Sequence, residues 1–259
     1  MTKENKLNLE NQGYCILKNK IEESFIDKIN EVLPPIFKDH QRIRSKNNNA
    51  IISDGVALNA LVSDHIFIEL LDFFLKSGLI EELEEYFFKE KCIINSLTAL
   101  NNIPTETKVF HKNIHRDIRF FSGDIPVMLN MLIMLDDFSE ENGATLLLPN
   151  SHKISKTPSE KFFNKNNVKA CGDKGNIIIW NSNLFHASGV NSTNKCRRAL
   201  PITLSLPSYK QLLDYPRALG YDKADLFSEK MKTLLGYNSR VPASLNEWYF
   251  SDEKRLYKK

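Results

Sequence analysis

His115 and Asp117 stand two apart in "NIHRDIRFF", residues 113–121, a stretch that ends in β-favouring residues and carries no helical periodicity. A strand sends residues i and i+2 to one face, so the imidazole and the carboxylate would point together and Arg116 away from them. That is the geometry a two-point metal ligand on a strand needs. On its own the pair fits two polar residues on a wet strand equally well, since His-x-Asp arises often by chance. A third group comes from "GNIIIWNSNLFHASGVNSTNKCRRAL", residues 175–200, which reads as an apolar strand, a turn through "NSN" and a second strand bearing His186. Two histidines and one carboxylate on one face of an octahedral ion leave three positions open, an arrangement suited to non-haem Fe(II) and dioxygen. A lone His186 would read as a hydrogen-bonded core histidine. His111 and His152 are the competing imidazoles nearest to these motifs.

Beyond His186 lies "VNSTNK", which would close a hairpin; in regular register Ser188 then faces Arg197, one pair along from the histidine and on its side of the sheet. Alternation turns Arg197 inward and Arg198 outward. An inward guanidinium needs an anion, and its planar fork suits a carboxylate, with the serine hydroxyl adding one bond. A structural Arg–Asp pair would meet the same need. Taken with a metal that has open positions, the receptor describes a pocket for a chelating 2-oxo acid.

The elements around these groups read as two textures. Ile21, Phe25, Ile29 and Val32 recur at helical intervals until Pro34-Pro35, where the pattern should break. Residues 62–90 carry further helical periodicity split at Ser77-Gly78 into two helices. After Cys92 come short β-type runs, "CIINSLTAL", 114–121, "VMLNMLIML", "ATLLLP", "NIIIW", "FHASGV" and "ALPITLSL", spaced for a sandwich or barrel of two facing sheets. The expectation is one domain over 1–259: a mainly helical part at 1–91, a β core at 92–206 and a partly helical flanking segment at 207–259.

The chain has 259 residues, 42% of them hydrophobic, and a formal net charge of +3. Lysines scattered among glutamates, as in "EELEEYFFKEK", look like solvated faces and nominate no nucleic-acid surface. No apolar run reaches the roughly 20 residues of a membrane helix, and "MTKENKLNLE" lacks the apolar core of a secretion signal, so a cytoplasmic protein is expected. Four cysteines far apart, without Cys-x-x-Cys spacing, read as reduced thiols. Nothing fixes an oligomeric state.

"HRD", then "MLIMLDDFSEENGATLLLPNSHK" at 131–153, then "HASGVNSTNKCR" resemble the phytanoyl-CoA dioxygenase family of Fe(II)/2-oxoglutarate-dependent oxygenases. The resemblance covers about residues 92–206, with a weaker echo in "LENQGYCILKNKI". It implies a double-stranded β-helix, or jelly roll, with flanking helices. By motif position His115, Asp117 and His186 look like the iron ligands, Arg197 falls where the family grips the far carboxylate of 2-oxoglutarate, and Ser188 where a hydroxyl assists. Asn102 is similar in placement to an amide that contacts the co-substrate in some members. The chain departs from the pattern at Leu132, where many members have an aromatic residue. Asn130, on the same strand face, either supplies polar contact there or only bonds its neighbours. It departs again at Asn150, where Gly is common and a left-handed backbone would be required.

The resemblance implies hydroxylation of a small-molecule C–H bond with 2-oxoglutarate and O2, releasing succinate and CO2. An oxygenase acting on nucleic acid would want a basic, aromatic groove, which the dispersed charge does not offer. A silent jelly-roll binding protein would share the fold but not turnover. Arg119 and Phe121 would meet the substrate if they continue the inward face of His115 and Asp117; otherwise Arg119 is a solvated arginine.

Overall fold

A computed structural model describes residues 1–49, 55–60, 62, 64–104 and 113–256. Its strands are β1 (Tyr14–Leu17), β2 (Val56–Leu58), β3 (Ile93–Asn102), β4 (Met128–Met134), β5 (Thr145–Leu147), β6 (Val168–Ala170), β7 (Ile177–Asn181), β8 (His186–Ser188) and β9 (Arg197–Ser205). Six form one sheet in the order β1-β7-β4-β9-β3-β2, and three form a second in the order β6-β5-β8. Side chains of both sheets, among them Leu132, Met134, Ile178 and Trp180 from the larger and Leu147 from the smaller, meet in one buried cluster. The fold is α+β, a jelly roll with flanking helices.

Contacts divide the chain into two compact units, one of Met1–Leu61 with Leu97–Thr203 and one of Val62–Ser96 with Leu204–Lys259. In the first, α1 (Lys3–Gln12) is capped by Thr2, whose hydroxyl accepts from the Asn5 N–H. It leads into β1, which pairs antiparallel with β7. Strand β4 is buried along its whole length, as a run apolar at every position but Asn130 predicts for a strand covered on both faces. In the second unit, α3 (His65–Lys76) buries Ile66, Phe67, Leu70, Leu71 and Phe74, and α4 (Leu79–Leu83) follows across Ser77-Gly78. Phe67 stacks on Tyr215 at 5.4 Å between ring centroids. No described helix is long and apolar enough to cross a membrane.

Three expectations need correction. Helix α2 (Glu23–Lys46) does not break at Pro34-Pro35 but runs through them. Both prolines are exposed, so water can hydrate the Asn30 and Glu31 carbonyls that lose their N–H partners, while Ile26, Ile29 and Leu33 bury the other side. Residues 114–121 form no strand; only His115 makes a bridge, to His186. Ile118, 1% exposed, is buried immediately after Asp117, itself turned toward His186, and strand alternation cannot turn neighbours the same way. The hairpin of β8 with β9 does not form. β8 pairs antiparallel with β5, matching Leu147 with His186 and Thr145 with Ser188, while β9 lies in the other sheet. The connection between them is held elsewhere: Asn191 donates to the Asn102 and Lys195 carbonyls and the Ser192 N–H to that of Glu141. A chain tied at these points crosses the sandwich instead of turning back.

Candidate metal and co-substrate site

His115, Asp117 and His186 converge although no common strand carries them, with one donor atom from each lying within 4.8 Å of the others. The His115 bridge sets the approach: its N–H donates to the His186 carbonyl at 3.0 Å and its carbonyl accepts from the His186 N–H at 2.9 Å. The imidazole centroids are 4.3 Å apart. Nδ1 of His115 lies 2.8 Å from the Asn113 carbonyl and Nδ1 of His186 lies 3.0 Å from that of Leu184. A carbonyl only accepts, so each Nδ1 donates to it, and each ring turns its Nε2 toward Asp117. The Nε2–carboxylate separations are 3.7 Å for His115 and 3.4 Å for His186.

Burial lowers the His186 pKa to about 4, against the opposing pull of the Asp117 carboxylate, so at neutral pH this ring has no proton to offer that carboxylate. Lone pairs facing a carboxylate repel unless a cation lies between them. The donor set, two imidazoles and one carboxylate, fits Fe(II).

Asp117 is fixed from below. Its Oδ2 accepts from Asn130 Nδ2 at 2.8 Å and from the Trp180 indole N–H at 3.1 Å. Asn130, 2% exposed, also donates to Ser182 Oγ at 2.7 Å and accepts from Thr203 Oγ1 at 2.6 Å. Its amide is thus engaged by its neighbours, the second of the two roles open to it.

Arg197, 2% exposed, is the inward arginine of β9. Its Nη2 donates to Ser188 Oγ and to the Gly143 carbonyl, each at 3.1 Å, while Nε and Nη1 are buried with no partner among the described residues. The guanidinium lies 4.1 Å from the Phe138 ring centroid. Burial lowers its pKa to about 10, which leaves it charged at neutral pH. Two orphaned nitrogens on a buried cation, with three N–H bonds between them, are what a carboxylate would complete. Arg198 already has its anion: Nε and Nη2 grip Asp136 at 3.0 and 2.5 Å. Asn102 borders the receptor, its Nδ2 donating to the Gly189 and Gly143 carbonyls at 3.0 and 3.3 Å and approaching Ser188 Oγ at 3.4 Å. Gly143 has φ +79°, and a Cβ there would stand 2.5 Å from Asn102 Nδ2. Only glycine lets the "ENGAT" turn pass so near.

The two candidate substrate residues fall differently. Arg119 and Phe121 are both exposed. The Phe121 ring lies 5.3 Å from the Arg116 guanidinium, itself 4.2 Å from the Phe185 ring. Phe185 packs with Leu148, Phe163 and Ala187 on the side of β8 opposite His186. Phe121 therefore joins the outer layer and not the imidazole face, a correction that follows from the missing strand. Arg116 also donates to the Ile154 carbonyl at 2.6 Å, so it clamps the ligand segment from outside. Of the competing histidines, His152 sits in the turn after Asn150 with Nε2 on the Glu10 carbonyl, and His111 lies outside the described residues. Asn150 has φ +64°, the left-handed backbone its substitution for glycine requires.

Sequence reasoning missed Trp180, Arg116, Phe138 and Gly143. Trp180 left one signal, a buried indole N–H that must find an acceptor.

The family model for phytanoyl-CoA dioxygenase matches residues 9–199. The chain belongs to the phytanoyl-CoA dioxygenase family. Among its relatives, an uncharacterized protein of Mycobacterium bovis is 36% identical over 154 residues, which is 58% of this chain and 55% of that one. The chain thus spans about half the length of that relative. Dioxygenase olcK of Penicillium canescens is 27% identical over 82% of this chain and 74% of its own. Among solved structures, EctD from S. alaskensis, determined with 2-oxoglutarate and 5-hydroxyectoine, has a TM-score of 0.63 at 14% identity, covering 80% of this chain and 77% of its own. These matches support the fold and the family.

Proposed function

We propose that this family member is an Fe(II)- and 2-oxoglutarate-dependent dioxygenase that hydroxylates a C–H bond of a small molecule. The observation that carries the reading is the pairing of two incomplete sites in one sandwich: three donor atoms facing one another, and a buried arginine with two nitrogens unpartnered among the described residues. His115, Asp117 and His186 would hold the iron. Arg197, with Ser188, would receive the far carboxylate of 2-oxoglutarate, and Asn102 would border it. When bound, iron and 2-oxoglutarate supply the oxidising chemistry, in which one atom of O2 enters the substrate as hydroxyl and the other enters succinate as CO2 leaves.

The chain's own part is positioning. The two Nδ1–carbonyl bonds hold both imidazoles with Nε2 turned inward, and the His115–His186 bridge fixes their separation. The apolar cluster of Leu132, Met134, Ile178 and Leu147 excludes water around the polar groups, which strengthens the electrostatic hold of Arg197 on an anion. Small molecules are favoured over nucleic acid because the net charge of +3 is dispersed.

Succinate release from the purified chain with iron, ascorbate, O2 and 2-oxoglutarate is the test. Release that requires iron is expected, with stimulation by the correct member of a small-molecule panel. Iron-independent release, or none with any candidate while the metal is bound, would overturn the reading.

A further inference from the structure

Asn130 and Trp180 are direct neighbours across the β4–β7 ladder, paired at their Cα atoms. Paired residues of adjacent strands project to the same face. Here that face carries two N–H donors, and both end on one atom, Asp117 Oδ2, at 2.8 and 3.1 Å. The donors are rigid: Trp180 is 3% exposed, and the Asn130 amide is oriented by Ser182 and Thr203. The Asp117 carboxylate fixes which end of that amide is nitrogen, because it can only accept, and this leaves Oδ1 to receive the Thr203 hydroxyl proton.

A carboxylate oxygen has two lone pairs in its plane. Two N–H donors engage both of those on Oδ2, whereas among the described residues no hydrogen bond reaches Oδ1. His186 Nε2 approaches Oδ2 at 3.4 Å, but with its proton on Nδ1 it cannot donate. The carboxylate therefore presents one free oxygen to the space shared with the imidazoles, not two. We propose that Asn130 and Trp180 are positioning residues that hold Asp117 to one-point metal binding and so keep a coordination position available to dioxygen. The inference rests on the iron reading above. An octahedral ion with three protein donors has three positions left. A chelating 2-oxo acid uses two, and a second oxygen from Asp117 would take the third.

A merely structural role predicts something different. Loss of packing or of a ligand support would weaken the metal and the fold together. Loss of denticity control would leave metal binding intact, since the carboxylate gains a contact, while closing the last position to a diatomic ligand.

The test uses the full chain loaded with Fe(II) and 2-oxoglutarate and probed with nitric oxide, whose iron adduct is read by electron paramagnetic resonance. Trp180→Phe keeps an apolar ring and removes one donor; Asn130→Leu removes the other. Iron affinity is measured in parallel by titration, and far-ultraviolet circular dichroism reports folding. In each variant the nitric oxide signal is expected to fall roughly tenfold, within the range known for residues that support metal ligands, while the iron affinity changes far less. A wild-type signal in folded Trp180→Phe overturns the proposal. So does a loss of signal that merely tracks a loss of iron. If Asn130→Leu fails to fold because Ser182 and Thr203 lose their partner, Trp180→Phe decides alone. Failure of the underlying reading looks different, because the wild-type chain would then bind no iron and give no signal at all.

Discussion

The two regions that carry the proposed ligands are built by opposite means. His186 and Arg197 ride on β8 and β9, whose ladders fix the direction of each side chain by alternation. His115 and Asp117 ride on 113–121, which has a single bridge and no ladder. What the ladder does for the first pair, side chains do for the second. Arg116 ties the segment to the Ile154 carbonyl and to Phe185, Asn183 Oδ1 accepts from the Ser122 N–H, and Asn130 with Trp180 holds Asp117 from inside. A regular strand gives direction cheaply but only in steps of two residues. An irregular segment can aim neighbours independently at the cost of several fixed contacts.

The largest expected effect removes the irregular region's own proposed ligand. Asp117→Gly should lower succinate release by at least the roughly 100-fold seen when even the outer supports of a metal ligand are lost. Near-normal hydroxylation in that variant would contradict its place in the triad. Next comes the ladder-borne receptor. Arg197→Ala should cost on the order of 2–5 kcal/mol of co-substrate binding. That corresponds to roughly a 30-fold or greater rise in the 2-oxoglutarate requirement. Iron titration of the same variant should match wild type; a collapse there would mean that the two regions are not separable.

A smaller effect belongs to the outer clamp. Arg116→Ala should weaken iron binding about tenfold with little change in the 2-oxoglutarate requirement of the loaded protein. If iron affinity holds, the bridge and the inner donors suffice and the clamp is dispensable. Least of all should follow from Arg198→Ala, whose half-exposed pair with Asp136 contributes about 1 kcal/mol or less to stability. A larger co-substrate defect there than in Arg197→Ala would invert the assignment of the two arginines.

The same contrast explains what the sequence disclosed. Arg197 and Ser188 were legible because strands β8 and β9 obey alternation, although the pairing inferred for them was wrong: they meet through a 3.1 Å bond across the sandwich and not within a hairpin. Strand faces are readable from local pattern, whereas sheet membership depends on where the connection is anchored, here at Asn102 and Glu141. His115 and Asp117 were legible as residue types at a fixed spacing, yet the strand meant to carry them does not exist. For Phe121 no alternation applied, and its expected inward aim failed. Trp180 and Arg116 act through partners far away in sequence, the indole on a carboxylate 63 positions off, and no local period encodes such a contact.

His186 and Ser188 sit two residues apart on one face of β8, so the pleat sets a length. That repeat spans about 6.7 Å at the usual rise per residue. One mark on this ruler is an iron ligand in the proposed reading; the other is the hydroxyl that Arg197 grips. The interval matches a five-carbon diacid held at both ends, and a four-carbon homologue chelated at the first mark would stop one bond short of the second. In the proposed reading the backbone thus sets the spacing between the two ends of the co-substrate, and the side chains supply the grip at each end.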